Sequence, residues 1–147
     1  MPRYQAFGSV LAVMAKDKSM DGGVLIVDDK AVMRALLRDF LHSNFPEVGI
    51  IDAPDGKRAL QLVREHRPGV VLMDINLPDA NGLELTAKIK ALHPETHVIV
   101  VSHLKGAVFV ERALASGASG YVIKDKIYAD LLPLIASAFA RTAGEPQ

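Results

Sequence analysis

Residues 70–82 read V-V-L-M-D-I-N-L-P-D-A-N-G and place one carboxylate, Asp74, at the end of a short apolar run. Val70–Met73 follows a Pro-Gly break and has no polar side, the pattern of a strand covered on both faces within a parallel sheet. Beyond Asp74, Leu77-Pro78 and Asn81-Gly82 punctuate a shaped loop that hands over to a helix rather than to a hairpin. A carboxylate at such an exit stands where open α/β sheets bind their ligands.

Similar runs of β-branched or aliphatic residues occur at 24–27, 49–51, 97–101 and 121–123. Helical patterns separate them. Val32, Leu36 and Phe40, with Met33, Leu37 and Leu41, form neighbouring stripes ahead of Pro46. Ala59, Leu60 and Val63 mark a second helix that ends before Pro68, and Leu85, Ile89 and Leu92 a third that ends before Pro94. Ala107, Val110, Ala113 and Leu114 mark a fourth, capped by Gly117. Leu131, Leu134, Ile135 and Ala138 mark the last. Pro133 is tolerated only in a first turn, so this helix is expected to begin near Ala129 or Asp130. Strand starts near 24, 48, 70, 97 and 120 leave no room for two strands in succession. The expected fold is therefore α/β, a parallel, doubly wound sheet of five strands.

With 147 residues, half of them hydrophobic, the chain is one domain's worth with a sizeable core. Its 17 basic and 17 acidic side chains balance, so no global field draws it to nucleic acid or anionic lipid, and contact with neither is expected. The lack of cysteine removes disulfides and thiolate metal sites and suits a reducing, cytoplasmic location. Residues 6–15 are mostly apolar behind Arg3, too few to span a bilayer though within the range of a signal-peptide core. Residues 1–22 are read as an extension, loosely docked or mobile, with Met20 an alternative start; 23–141 as the domain; and 142–147 as a polar tail.

In a parallel sheet every strand opens at its C-terminal end onto the same edge, which brings together Asp28, Asp29, Asp74, Ser102 and Lys124. Only the second strand contributes nothing, as an edge strand would. Each residue alone has an ordinary explanation: a helix cap for Asp28-Asp29 or Ser102, loop polarity for Asp74, a solvated surface lysine for Lys124. Their joint placement favours a site. Three carboxylates near one point repel, at about 4 kcal/mol per pair for ~4 Å and an effective dielectric of ~20. A hard divalent cation with oxygen ligands, Mg²⁺ by preference, would relieve that repulsion and leave positions open for a phosphoryl group.

These residues resemble a known set. The acidic pair in V-D-D, the segment from Asp74 to Gly82, the hydroxyl of V-V-S at Ser102 and the lysine of G-Y-V-I-K at Lys124 are similar to the motifs of response-regulator receiver domains of two-component systems. The resemblance implies a flavodoxin-like (βα)5 fold with strand order 2-1-3-4-5. It also implies that Asp74 takes a phosphoryl group from a sensor histidine kinase or phosphotransfer protein. Mg²⁺ would be held by Asp28, Asp29, Asp74 and the carbonyl of Asn76, with Asp28 acting partly through water. Lys124 and Ser102 would contact the phosphoryl oxygens. Ser102 and Tyr121 would form a switch that remodels the surface of the fourth helix, fifth strand and fifth helix, toward an output domain or protein partner. Homodimer pairing through that surface is a habit of the family. Such a domain is a signalling phosphoacceptor and not an enzyme, and Lys124→Ala is expected to spare folding.

Two departures stand out. His103 brings an imidazole beside Ser102 where the family often has a small residue, narrowing the entrance to the site. Asp125 replaces the proline that often follows the lysine, so no cis bond is expected there. That variant resembles receivers preceding a helix-turn-helix DNA-binding domain, so the chain is either a stand-alone receiver or part of a longer regulator. A phosphatase of the haloacid-dehalogenase type would need D-x-D after the first strand, and Asp28-Asp29-Lys30 does not supply it. The alternative is a degenerate receiver used only as a docking scaffold, from which one acid or the lysine would be missing. The histidines show no ligand spacing, and no P-loop or G-x-G-x-x-G is present.

Overall fold

The computed structural model describes residues 23–142, with side chains to residue 140; the expectations for 1–22 and for the tail lie outside the described residues. Five parallel strands form one sheet in the order β2-β1-β3-β4-β5. They are β1 (Val24–Val27), β2 (Ile50–Ala53), β3 (Val70–Met73), β4 (His97–Ser102) and β5 (Gly120–Ile123). The helices α1 (Ala31–Asn44), α2 (Gly56–His66), α3 (Gly82–Leu92), α4 (Ala107–Ala115) and α5 (Ile127–Thr142) alternate with them, and a short 3₁₀ turn, Lys124–Lys126, precedes α5.

Every residue of β1 and β3 is buried, because helices cover both faces of the sheet. On one face Val24, Ile26, Val70 and Leu72 pack with Leu37 and Leu41 of α1 and Leu131, Ile135 and Phe139 of α5. On the other, Leu25, Val27, Val71 and Met73 meet Ala59 and Val63 of α2 and Leu85 and Ile89 of α3. Alternate residues of one strand thus supply two cores, as a period of two requires.

Register decides where the polar residues fall. Val27 lies opposite both Ala53 and Met73, so β1 and β3 end level and Asp28 and Asp74 leave the sheet side by side. On the far side Ser102 pairs with Ile123, so Lys124 emerges next to the end of β4.

Two boundaries differ from expectation. The second strand runs to Ala53, past Asp52, whose carboxylate is satisfied by Arg34 at 3.3 Å and Arg38 at 3.7 Å. Only on an edge strand can a charge sit within the ladder in this way. The last helix begins at Ile127 and carries Pro133 in its interior. Burial of Ile127 and Leu131 draws the start forward, while the proline and Ala129, whose carbonyl loses its intrahelical donor, lie on the exposed side. Gly117 closes α4 as expected, at φ +103, with Gly117 N–H donating to Leu114 O and Ala118 N–H to Ala113 O. No peptide bond among the described residues is cis.

Candidate functional site

The loop after β3 is folded back on itself. Gly82 N–H donates to the Ile75 carbonyl at 2.7 Å, Asn76 and Asn81 form an isolated bridge, and the Asn81 side chain caps α3 by accepting from Leu83 N–H at 2.8 Å. A side chain at Gly82 would drive its Cβ into the Asp74 carbonyl, so only glycine permits this turn. The turn keeps Asp74 at the sheet edge and presents Asn76 to the cleft.

Three carboxylates meet there. One oxygen each from Asp28, Asp29 and Asp74 all lie within 4.8 Å of one another, with Asp28 and Asp74 buried and Asp29 exposed. Lys124 places its ammonium 2.7 Å from Asp28 Oδ2 and 3.4 Å from Asp74 Oδ2, and its side chain is only 4% exposed. Asp28 has both oxygens engaged, since Oδ1 accepts from Lys30 N–H at 2.8 Å. Burial pushes the Asp74 carboxyl above its ordinary value, the charge of Asp28 pushes it the same way, and Lys124 offsets part of the rise.

On the far side of the cleft the Ser102 hydroxyl accepts from Leu104 N–H at 3.1 Å, and the Tyr121 hydroxyl donates to the Leu104 carbonyl at 2.6 Å. Leu104 therefore joins the two. Ser102 is buried and does not cap α4, whose N-terminus has no side-chain cap. Tyr121 packs in a small cluster with Val100 and Ala113, and burial raises its phenol above the usual value.

Asp74, Ser102 and Lys124 line a cleft of about 670 Å³ together with Asp29, Asn76 and His103. Ionised, the three carboxylates face two ammonium groups, the buried one of Lys124 and the exposed one of Lys30 at 3.8 Å from Asp29, so one negative charge stays uncompensated, and the donors are all oxygens. The set fits a hard divalent ion. The family model for the response regulator receiver domain matches residues 24–136. The chain belongs to that family.

Among curated relatives this receiver is 36% identical over 103 residues to the transcriptional regulatory protein DegU of Brevibacillus brevis, covering 69% of the present chain and 43% of DegU. It is 34% identical over 101 residues to the chemotaxis protein CheY of Bacillus subtilis, covering 69% of the present chain and 83% of CheY. The chain spans about half the length of the transcriptional regulators it matches, 43%, 52% and 48% of them. Among solved structures, a CheX-CheY-BeF3-Mg+2 complex from Borrelia burgdorferi superposes with a TM-score of 0.73 at 28% identity, covering 79% of this receiver and 87% of that chain. A LuxR-family response regulator from Aurantimonas sp. SI85-9A1 gives 0.73 at 30% identity, covering 80% and 84%. Receiver domains are signalling phosphoacceptors that bind Mg²⁺ at an acidic pocket and interact with histidine kinases and phosphotransfer partners. Among the described residues no helix is long and apolar enough to cross a membrane.

Asp28, Asp29, Asp74, Asn76, Ser102 and Lys124 gather at the one sheet edge of this receiver, while Tyr121 lies within β5 and reaches toward that edge only through its hydroxyl on Leu104 O. Lys124, however, is buried in ion pairs and is not a solvated lysine, so its removal would strand Asp28 and Asp74; the expectation that Lys124→Ala spares folding does not fit that burial. Arg34 was not foreseen: it donates from Nη1 to the Asp28 carbonyl at 2.8 Å and pairs through Nε with Asp52. Its spacing of six residues from Asp28 was the available signal. Val32, read as part of a core stripe, is 82% exposed and lines the mouth of the cleft.

Proposed function

We propose that Asp74 is the phosphoacceptor of a Mg²⁺-dependent switch. The observation that carries this reading is the buried ammonium of Lys124 set between Asp28 and Asp74 beside two further oxygen donors, Asp29 and Asn76. An oxygen of Asp74 attacks phosphorus of a phosphohistidine, the P–N bond breaks, and the histidine departs as a neutral imidazole after taking up a proton. Asp29 and Asp74 would hold the metal with the Asn76 carbonyl, while Asp28, both of whose oxygens are engaged, would contribute through water. When bound, Mg²⁺ neutralises charge on the transferring group. Lys124 screens the phosphoryl oxygens and Ser102 donates to one of them.

Turning the Ser102 hydroxyl toward that group removes the acceptor of Leu104 N–H, and Tyr121 feels the change through Leu104. Ala113 is the one buried residue of α4, with Val108 and Leu114 more than half exposed, so α4 is lightly held and suited to move. The output is a DNA-binding domain or protein partner; the kinase or phosphotransfer donor approaches the cleft. Incubation with Mg²⁺ and acetyl phosphate is expected to add one phosphoryl group by intact mass, and Asp74→Asn to abolish it. An adduct that survives Asp74→Asn refutes the assignment.

A further inference from the structure

Asp79 sits at the tip of the loop that carries Asp74 and Asn76, yet its carboxylate is directed to a different element. Its Oδ1 accepts from Gly56 N–H at 2.8 Å and its Oδ2 from Lys57 N–H at 3.0 Å, the first two amides of α2, across 23 and 22 residues of sequence. The helix has its own N-cap, Asp55, which accepts from the third amide, Arg58 N–H, at 2.8 Å. Two aspartates thus divide three orphan donors between them, and only one belongs to the helix. Gly56 is matched to this contact: a Cβ there would lie 2.9 Å from the Ala80 Cβ and 3.3 Å from Asp79 Oδ1. The two amides hold the Asp79 carboxyl below its usual range.

We propose that Asp79 is a positioning residue for the acidic site: by tying the loop tip to the N-terminus of α2 it holds the Asn76 carbonyl and the Asp74 carboxylate at the spacing one divalent cation requires. The loop is pinned at its base by Gly82 N–H on Ile75 O, and Asp79 pins the other end, so Asn76 lies between two fixed points. Asp79 touches neither metal nor phosphoryl group. It acts through the backbone between residues 76 and 79. The proposal rests on the reading of Asp74 and Asn76 as metal ligands, and its test separates the two.

Wild type, Asp79→Ala, Asp79→Asn and Asp55→Ala are compared for Mg²⁺ affinity by calorimetric titration, for hydrogen exchange of the Gly82 amide and for thermal midpoint. Asp55→Ala removes the same charge and a cap from the same helix end without touching the loop. Expected is a loss of Mg²⁺ affinity of about tenfold in Asp79→Ala, the low end for residues that support ligands indirectly. Faster Gly82 exchange should accompany it. Asp79→Asn, keeping one acceptor, falls between; Asp55→Ala lowers the midpoint alone. If Asp79→Ala binds Mg²⁺ as wild type does, or Asp55→Ala weakens binding equally, the positioning role is overturned. A wild-type protein that takes up no Mg²⁺ overturns the metal reading as well.

Discussion

At the scale of single residues the strongest constraint is the charge balance around Lys124. Its ammonium is the only cation placed against the buried oxygens of both Asp28 and Asp74 among the described residues, and all three side chains are less than a tenth exposed. Removing one partner of a buried ion pair leaves an uncompensated charge and costs about 3–5 kcal/mol. Lys124→Met should therefore lower the unfolding free energy by about 3 kcal/mol in urea without Mg²⁺, the low end because Asp74, already shifted upward, can take up a proton. A loss within ordinary surface-mutation scatter would show that Lys124 does not hold the acids together. Asp79 gives the opposite signature. Two backbone amides depress its folded-state pKa below the unfolded value, so its contribution is fully present above the unfolded pKa of about 3.9 and fades as pH falls through the folded one. The stability difference between wild type and Asp79→Asn should stay flat from neutral pH to about 4 and shrink below it. Chemical denaturation at a series of pH values checks this, and a gap that widens on acidification contradicts it.

At the scale of elements, α2 ends in an unusual way. Arg67, its C-cap, lies in the left-handed region at φ +47 with its N–H on the Val63 carbonyl, immediately before the buried Pro68. A side chain other than glycine there is strained by about 1–2 kcal/mol, part of which glycine gives back as unfolded-chain entropy. Arg67→Gly, on an exposed residue, should stabilise the protein by about 0.5–1 kcal/mol in thermal unfolding; a loss would mean the Arg67 stem packs on the surface. Proline thus placed the end of α2 correctly from sequence but not the end of the strain. Where covering is complete the elements were legible: β1 and β3 are unbroken apolar runs because both faces are dry. Where one charge or proline is compensated from afar they were not. Asp52 extends β2 because Arg34 and Arg38 reach it from α1, and α5 starts before its proline because Ile127 has a core to enter. The acidic cluster, Ser102 and Lys124 could be read because topology alone gathers strand ends. Asp79 could not, since its partners are backbone amides that carry no sequence signature.

At the scale of the whole molecule, the site is a place where the fold stores repulsion. Asp28 is anchored by β1 and by Arg34 on its carbonyl, Asp74 by β3 and the Gly82 turn, and neither can retreat from the other. A divalent cation that binds the folded chain and not the unfolded one stabilises the folded state by about 2.7 kcal/mol at a hundredfold excess over its Kd. For a domain of this size that corresponds to a rise of about 10 °C in thermal midpoint. Magnesium should produce such a rise in wild type, growing with the logarithm of its concentration. Asp29→Ala, which removes the exposed acid, relieves repulsion and disturbs no buried pair, should leave the metal-free midpoint no lower than wild type and lose most of the increment. Differential scanning across a magnesium series measures both quantities. A wild-type midpoint that does not move would mean that the three acids are compensated by Lys124 and Lys30 without a metal, and an Asp29→Ala midpoint that climbs as far as wild type would take Asp29 out of the ligand set.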